Sequence, residues 1–146
     1  MKLVDANVLL YAVNSDAEQH RTARAWLDDA LAGRETVAFA WTVVLAFIRL
    51  STHPAVFPLP LSPDDAVSTL ETWLAQPSAM VIDPTARHLG VVAGMLAEAG
   101  TAGNLVADAH LAAMAVEHGA ELVSFDADFR RFAGVRWSRP GEAVES

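Results

Sequence analysis

Three stretches of this chain carry aspartates where a solvated surface does not account for them. Asp5 follows the apolar pair Leu3-Val4 and precedes Ala6-Asn7 and a second apolar run. Such a residue is either a helix N-cap, accepting backbone N–H bonds, or a carboxylate held at the carboxyl edge of a strand. Asp108 sits in the run Asn104 to His118. On a helical wheel at about 100° per residue, Leu105, Ala109, Ala112 and Val116 form an apolar arc that Leu111 and Ala115 extend. Asp108 falls inside that arc, with His110 and Glu117 on the opposite side. A carboxylate on an apolar face is costly unless it is ion-paired, hydrogen-bonded or bound to metal. No arginine is placed by sequence to pair with it. Asp126 and Asp128 follow Leu122-Val123-Ser124. They form either an Asx-turn in a surface loop or, from extended chain, two acids facing one cleft. Like charges gathered in one cleft need a compensating cation. All-oxygen ligands suit a hard ion, Mg²⁺ or Mn²⁺. Such ions polarise phosphoryl oxygens, so the implied chemistry is hydrolysis of a phosphate ester or diester.

Other chemistries are excluded by what the chain lacks. It has no cysteine, which removes disulfides, thiolate metal sites and a thiol nucleophile. Its five histidines (20, 53, 88, 110, 118) show no metal-ligand spacing and read as surface or capping residues. There is no phosphate-binding glycine loop and no G-x-S-x-G elbow. The four tryptophans (26, 41, 73, 137) read as core or interface anchors rather than base-stacking platforms.

The length of 146 residues, 53% of them hydrophobic, fits one domain spanning 1–146. Ten basic residues against 18 acidic give a formal charge of −8, and Lys2 is the only lysine. Bulk charge of that sign argues against nucleic-acid binding, unless carboxylates hold cations and reverse the local field. Asp5 interrupts any apolar leader, and the apolar run 37–50 contains Thr42 and Arg49 and falls short of the ~20 residues of a membrane span. A soluble, cytoplasmic protein with no membrane contact is expected.

The elements that must position the acids alternate. Strands are expected over 2–5, 36–39, 79–82 and 121–124, with a fifth over 135–137. Helices are expected over 8–13, 17–31, 41–50, 63–75, 86–99 and 104–118. Asp16, Ser62 and Thr85 are the expected caps, and Gly33, Gly100 and Gly119 the stops. The proline-rich run 54–63 reads as a rigid loop, and 126–132 as a loop or short helix. Alternating strands and helices imply a parallel sheet covered on both faces, with sites at the carboxyl ends of its strands.

These residues resemble a known family. Val4-Asp5-Ala6-Asn7-Val8-Leu9-Leu10-Tyr11, Trp41 to Thr52, Asn104 to Ala112 and Ser124-Phe125-Asp126-Ala127-Asp128-Phe129 are similar, in order and spacing, to PIN-domain ribonucleases of the VapC toxin type. The resemblance runs from Lys2 to about Trp137. It implies an α/β/α sandwich of three layers on a parallel sheet of about five strands. It implies a Mg²⁺- or Mn²⁺-dependent endoribonuclease, hydrolysing RNA phosphodiesters through metal-activated water, with transfer RNA as a target by analogy. It also implies a homodimer held by a cognate VapB-type antitoxin that lies across the acidic cleft. By position, Asp5, Asp108 and Asp126 are the catalytic and metal carboxylates, and Asp128 is a further ligand. Asn7 orients Asp5 or a water, and Ser124 supports the site. Arg49, one helical turn from Ala46, either touches a backbone phosphate or pairs with an acid.

One position departs from the family. Between Leu45 and Phe47, where members commonly carry Glu, this chain has Ala46. The branch lacks the acid naturally, or another acid such as Asp128 compensates, or the substitution is inactivating. The rival reading is therefore a PIN-like module that binds antitoxin or RNA without cutting. A phosphatase using Asp5 as nucleophile is disfavoured, because that class wants a second Asp where Asn7 stands.

Overall fold

Short runs of Val, Leu, Ala and Phe, too short for buried helices, form the centre of the molecule. In a computed structural model, which describes residues 1–142, they are β1 (Lys2–Val4), β2 (Val37–Ala40), β3 (Ala79–Ile82), β4 (Glu121–Val123) and β5 (Trp137–Ser138). All pairings are parallel, and the order across the sheet is β3-β2-β1-β4-β5. Parallel strands need crossovers, which the helices supply. These are α1 (Ala6–Val13), α2 (His20–Ala32), α3 (Trp41–Ser51), α4 (Pro63–Leu74), α5 (His88–Ala99) and α6 (Val106–His118). Helix α1 packs on both α2 and α3, α3 packs on α4, and α5 packs on α6. The expected parallel sheet of five strands between helical layers is what forms.

This strand order has a functional consequence. The chain builds outward from β1 to β2 and β3, then crosses back to place β4 on the other side of β1. The crevice above the carboxyl ends of β1 and β4 lies where the order reverses, and open α/β sheets bind ligands there. Asp5 follows β1 and Ser124 follows β4, so both stand at that crevice. Register fixes their meeting, because Val4 pairs with Val123 and the Asp5 N–H continues the ladder to the Val123 carbonyl at 2.9 Å.

Strands β1, β2 and β4 are buried on both faces, as expected of central parallel strands. Phe39, Phe47, Phe129 and Phe132 are fully buried, and each contributes about 1.5–3 kcal/mol relative to an exposed ring. Leu27 and Leu31 of α2 also face this core, and Trp26 packs partly against it.

Several boundaries differ from the sequence expectation. Helix α2 starts at His20, because the backbone from Asn14 to Gln19 turns and Asn14 Oδ1 accepts from the Asp16 N–H. Asp16 is therefore not its cap. Helix α5 starts at His88, after a turn in which Thr85 Oγ1 accepts from the Arg87 N–H at 3.2 Å while the same hydroxyl donates to Glu117. Helix α6 starts at Val106, after a 3₁₀ turn at Gly103–Leu105. Ser62 does cap α4, accepting from the Asp65 N–H, with Pro63 in the first turn. Gly100 and Gly119 end α5 and α6 with φ of 73° and 63°, the left-handed region that glycine enters without steric cost.

Candidate active site

A cleft of about 710 Å³ opens beside the end of β1, between α3 and the start of α6. Asp5, Ala46, Asn104, Asp108 and His110 are among the residues on its walls. Asp5 is both things its position allowed. It is the N-cap of α1, with Oδ1 accepting from the Ala6 N–H at 2.7 Å, and it stands at the carboxyl edge of the central strand.

The rest of Asp5 is held by Ser124, a polar residue with no exposed surface. Ser124 Oγ donates to Asp5 Oδ2 at 2.7 Å and accepts from Asn7 Nδ2 at 3.0 Å and from the Asp126 N–H at 3.0 Å. Asn7 Oδ1 in turn accepts from the Phe125 N–H at 3.2 Å. Asn7 thus reaches Asp5 through the Ser124 hydroxyl rather than directly. One buried hydroxyl ties the first helix, the fourth strand and the Asp126 loop together. Burying a hydroxyl is tolerable because every bond it offers is used.

The segment after Ser124 is not extended. Asp126 Oδ1 accepts from the Asp128 N–H at 2.9 Å and caps a 3₁₀ helix over Ala127–Arg131. This is the Asx-type turn that the D-x-D spacing allowed. It sends the Asp128 carboxylate out to Arg131, 3.9 Å away at the surface. Asp128 therefore does not share Asp126's orientation, as an extended chain requires.

Asp108 lies in the first turn of α6, half-buried and open to the cleft. The apolar arc forms farther along, at Ala109, Leu111, Ala112, Met114 and Ala115. Val116, expected in that arc, is 40% exposed. Burial pushes the Asp108 carboxyl up to about 6, aided by the charges of Asp126, Asp5 and Asp128, while Arg131 opposes the rise. Burial likewise raises Asp5 above the usual carboxylate range. The Ser124 and Ala6 hydrogen bonds work against that rise, and the Asp126 charge adds to it. Asp108 thus lies in the field of the other three acids singled out from sequence. No three His, Asp or Glu side chains among the described residues stand close enough together to form a ready cage for an ion. Asp5 and Asp126 are instead turned to hydrogen-bond donors of their own chain, and Asp128 to Arg131.

Two sequence expectations find less support in the geometry. Arg49 is exposed, lies outside the cleft walls and makes no ion pair among the described residues. The histidines are not all surface or capping residues. Glu117, expected on a polar face, has a side chain with no exposed surface. Its Oε1 accepts from the Thr85 hydroxyl at 2.6 Å and the Thr85 N–H at 3.0 Å. Its Oε2 accepts from His88 Nδ1 at 2.6 Å. His88 Nε2 is 2.7 Å from His110 Nδ1. Burial alone raises the Glu117 pKa, but the bonds from Thr85 and His88 prevail and hold it below the usual range. Sequence offered one signal for this cluster: His110 and Glu117 share a helix face seven residues apart. The partner, His88, comes from another helix.

Ala46 stands on the cleft wall contributed by α3, facing the same space as Asp5 and Asp108. The sequence departure therefore falls in the site itself.

Comparison with known proteins adds to this geometry. A family model described as PIN domain matches residues 2–135. Ribonuclease VapC37 of Mycobacterium tuberculosis is 55% identical over 140 residues, covering 96% of this chain and 97% of the relative. Ribonuclease VapC33 of the same species is 38% identical, covering 96% of this chain and 98% of the relative. Among solved structures, VapBC2 from Rickettsia felis, bound to a DNA fragment from its promoter, superimposes with a TM-score of 0.69 at 18% identity. That match covers 94% of this chain and 97% of the other, and it shows a common fold.

Proposed function

The chain belongs to the PIN-domain family, and on that premise we propose that it is a divalent-metal-dependent endoribonuclease, the toxin of a toxin–antitoxin pair. The observation that carries the reading is the set of coupled carboxylates at the strand-order reversal, with Asp108 pushed up to about 6. The full-length similarity to chains named ribonuclease VapC supports it.

The donor chemistry fits Mg²⁺ or Mn²⁺. Asp5, Asp108 and Asp126 would hold the ion, with Asp128 reaching it through water. Mg²⁺ keeps several waters and is commonly bound through one or two carboxylates plus substrate phosphate, so a ready three-acid cage is not required. When bound, the cation supplies Lewis acidity to a phosphoryl oxygen and lowers the pKa of water. The protein's own contribution is placement. Ser124 fixes Asp5 Oδ2 and the Asp126 backbone at once, so two acids from different elements keep a set spacing. Asn7 holds the Ser124 hydroxyl and the Phe125 backbone, which stops the loop from swinging away. Asp108 approaches from the opposite wall, on a helix.

The partners of the proposed toxin are an RNA substrate, with transfer RNA as a candidate class, and a VapB-type antitoxin. It acts as a homodimer in the cytoplasm. No helix among the described residues is long and apolar enough to cross a membrane. The antitoxin places an Arg or Lys in the acidic cleft as a cationic stand-in for metal. Neutralising Asp5 and Asp108 therefore weakens antitoxin binding, and unchanged affinity by titration calorimetry rejects that contact.

Ala46 on the cleft wall favours one second reading, a domain that binds without cutting. A single assay separates the two: total RNA with Mg²⁺ or Mn²⁺, using this chain, Asp108→Asn and Ala46→Glu, with EDTA as control. Cutting by this chain that EDTA and Asp108→Asn abolish supports the ribonuclease. Cutting by Ala46→Glu alone identifies a site short of one acid. No cutting by either favours the binding module.

A further inference from the structure

The half-buried chain Thr85–Glu117–His88–His110 ends on the wall of the acidic cleft, and the proposed metal chemistry does not use it. Its first three members already tie α5, α6 and the loop before α5 together. His110 is not needed for that tie. It is the member that reaches the cleft, on the same wall as Asn104 and Asp108.

With both rings neutral, hydrogen-bond direction sets what His110 offers there. The Glu117 carboxylate is an acceptor only, so His88 Nδ1 carries the proton between them. A neutral His88 then has only a lone pair at Nε2, so the proton in the 2.7 Å contact belongs to His110 Nδ1. That leaves Nε2 of a neutral His110 as a lone pair, with no partner among the described residues. The two rings meet edge to face, centroids 4.7 Å apart, which restrains the His110 ring as well as its tautomer. Two residues separate His110 from Asp108, about 200° around a helix, so the imidazole does not point with the carboxylate. It is placed to meet a ligand beside the acids.

Resting on the ribonuclease reading, we propose that His110 Nε2 accepts a hydrogen bond from a ribose 2′-hydroxyl and so distinguishes RNA from DNA in the cleft, with His88 and Glu117 as its positioning residues. The 2′-hydroxyl is the group that tells the two nucleic acids apart. An oriented acceptor gains a bond with ribose and faces a C–H with deoxyribose.

The test compares binding of oligo(U) and oligo(dU) of equal length, by fluorescence anisotropy with Mg²⁺ present, both polymers carrying phosphorothioate linkages that resist cutting. The native chain should prefer oligo(U) by about fivefold, the contribution of one neutral hydrogen bond. In His110→Leu the preference disappears because oligo(U) affinity falls to that of oligo(dU). His110→Gln, whose amide can donate to His88 and still present an oxygen, keeps most of it. If His110→Leu fails to melt cooperatively, His110→Phe, which keeps the ring packing, carries the same comparison. A native chain without the preference, a preference that survives both apolar variants, or equal losses on both polymers overturns the proposal. If such a result comes with Mg²⁺-dependent cutting of RNA, the sugar-recognition inference falls alone. If neither polymer binds and RNA is uncut, the ribonuclease reading falls with it.

Discussion

The two ends of the central strands treat charge in opposite ways. At the amino end, Lys2 of β1 pairs with Glu121 of β4, and the N-terminal ammonium pairs with Glu35 at 3.0 Å. There the bonds from Lys2 and Ser138 outweigh burial and hold the Glu121 pKa below the usual range. Three residues along the same two strands, Asp5 meets Ser124 and other acids gather round them. The charges of Asp126, Asp5 and Asp128 add to the cost of ionising Asp108, and Arg131 alone among the charges acting on it opposes that. The amino end is arranged for stability. The carboxyl end gives up stability to gather acids in one cleft, and the buried Ser124 hydroxyl holds Asp5 and the Asp126 backbone in place.

The contrast is sharpest under substitution. The largest expected effect is on activity. Asp108→Asn should cut RNA about 10³-fold more slowly with Mg²⁺, since the ion's charge stabilisation is worth several kcal/mol. A rate within threefold of the native chain breaks the assignment of Asp108 to the site. Ser124→Ala should follow, losing about 10–100-fold as supporting residues of metal ligands do, with loss of Mg²⁺ affinity in a titration.

Stability comes next, and its sign separates the two ends. Glu121→Gln should destabilise by about 1–2 kcal/mol at pH 7. Glu121 has a depressed folded pKa, so its contribution exists above its ordinary value of 4.5 and fades as pH falls through the folded value. Asp108 is the reverse. Its folded value of about 6 exceeds the ordinary 3.8, so the folded state binds the extra proton and loses stability as pH rises through that window. Asp108→Asn should therefore stabilise the metal-free protein by about 1 kcal/mol at pH 7, less than the full shift converts to because the group is open to solvent. At pH 4 the gain should vanish. Urea melts at both pH values read both signs, and a destabilised Asp108→Asn at pH 7 contradicts the strained cleft. Smallest of all, breaking the exposed Arg24–Asp28 pair of α2 should change stability by less than about 0.5 kcal/mol.

Much of this arrangement was legible in the sequence. The strand positions follow from short apolar runs, and the ends of α5 and α6 from Gly100 and Gly119. Asp5 and Asp126 were legible because strand ends are where parallel sheets place sites. What stayed hidden depends on contacts between distant segments. Asp16 looks like a cap locally, yet Asn14 claims its backbone N–H, and Thr85 Oγ1 does accept from Arg87 N–H while its proton goes to the distant Glu117. The apolar arc of α6 was drawn one turn too generously, because six consecutive small or apolar residues offer no single period. The His88–His110 contact joins two helices whose sequences carry no mark of each other.

The hydroxyl of Ser124 reaches back to Asp5 across 119 residues. At about 5–20 residues per second of synthesis, roughly 6–24 s separate the emergence of the two partners. Through that interval a nascent chain carries its first acid beside an unpaired edge of β1, with no fourth strand to hold it. A growing copy thus lacks the assembled site until late in translation. The order of the strands serves as a delay, because Asp5 meets Ser124 only once β4 has been made.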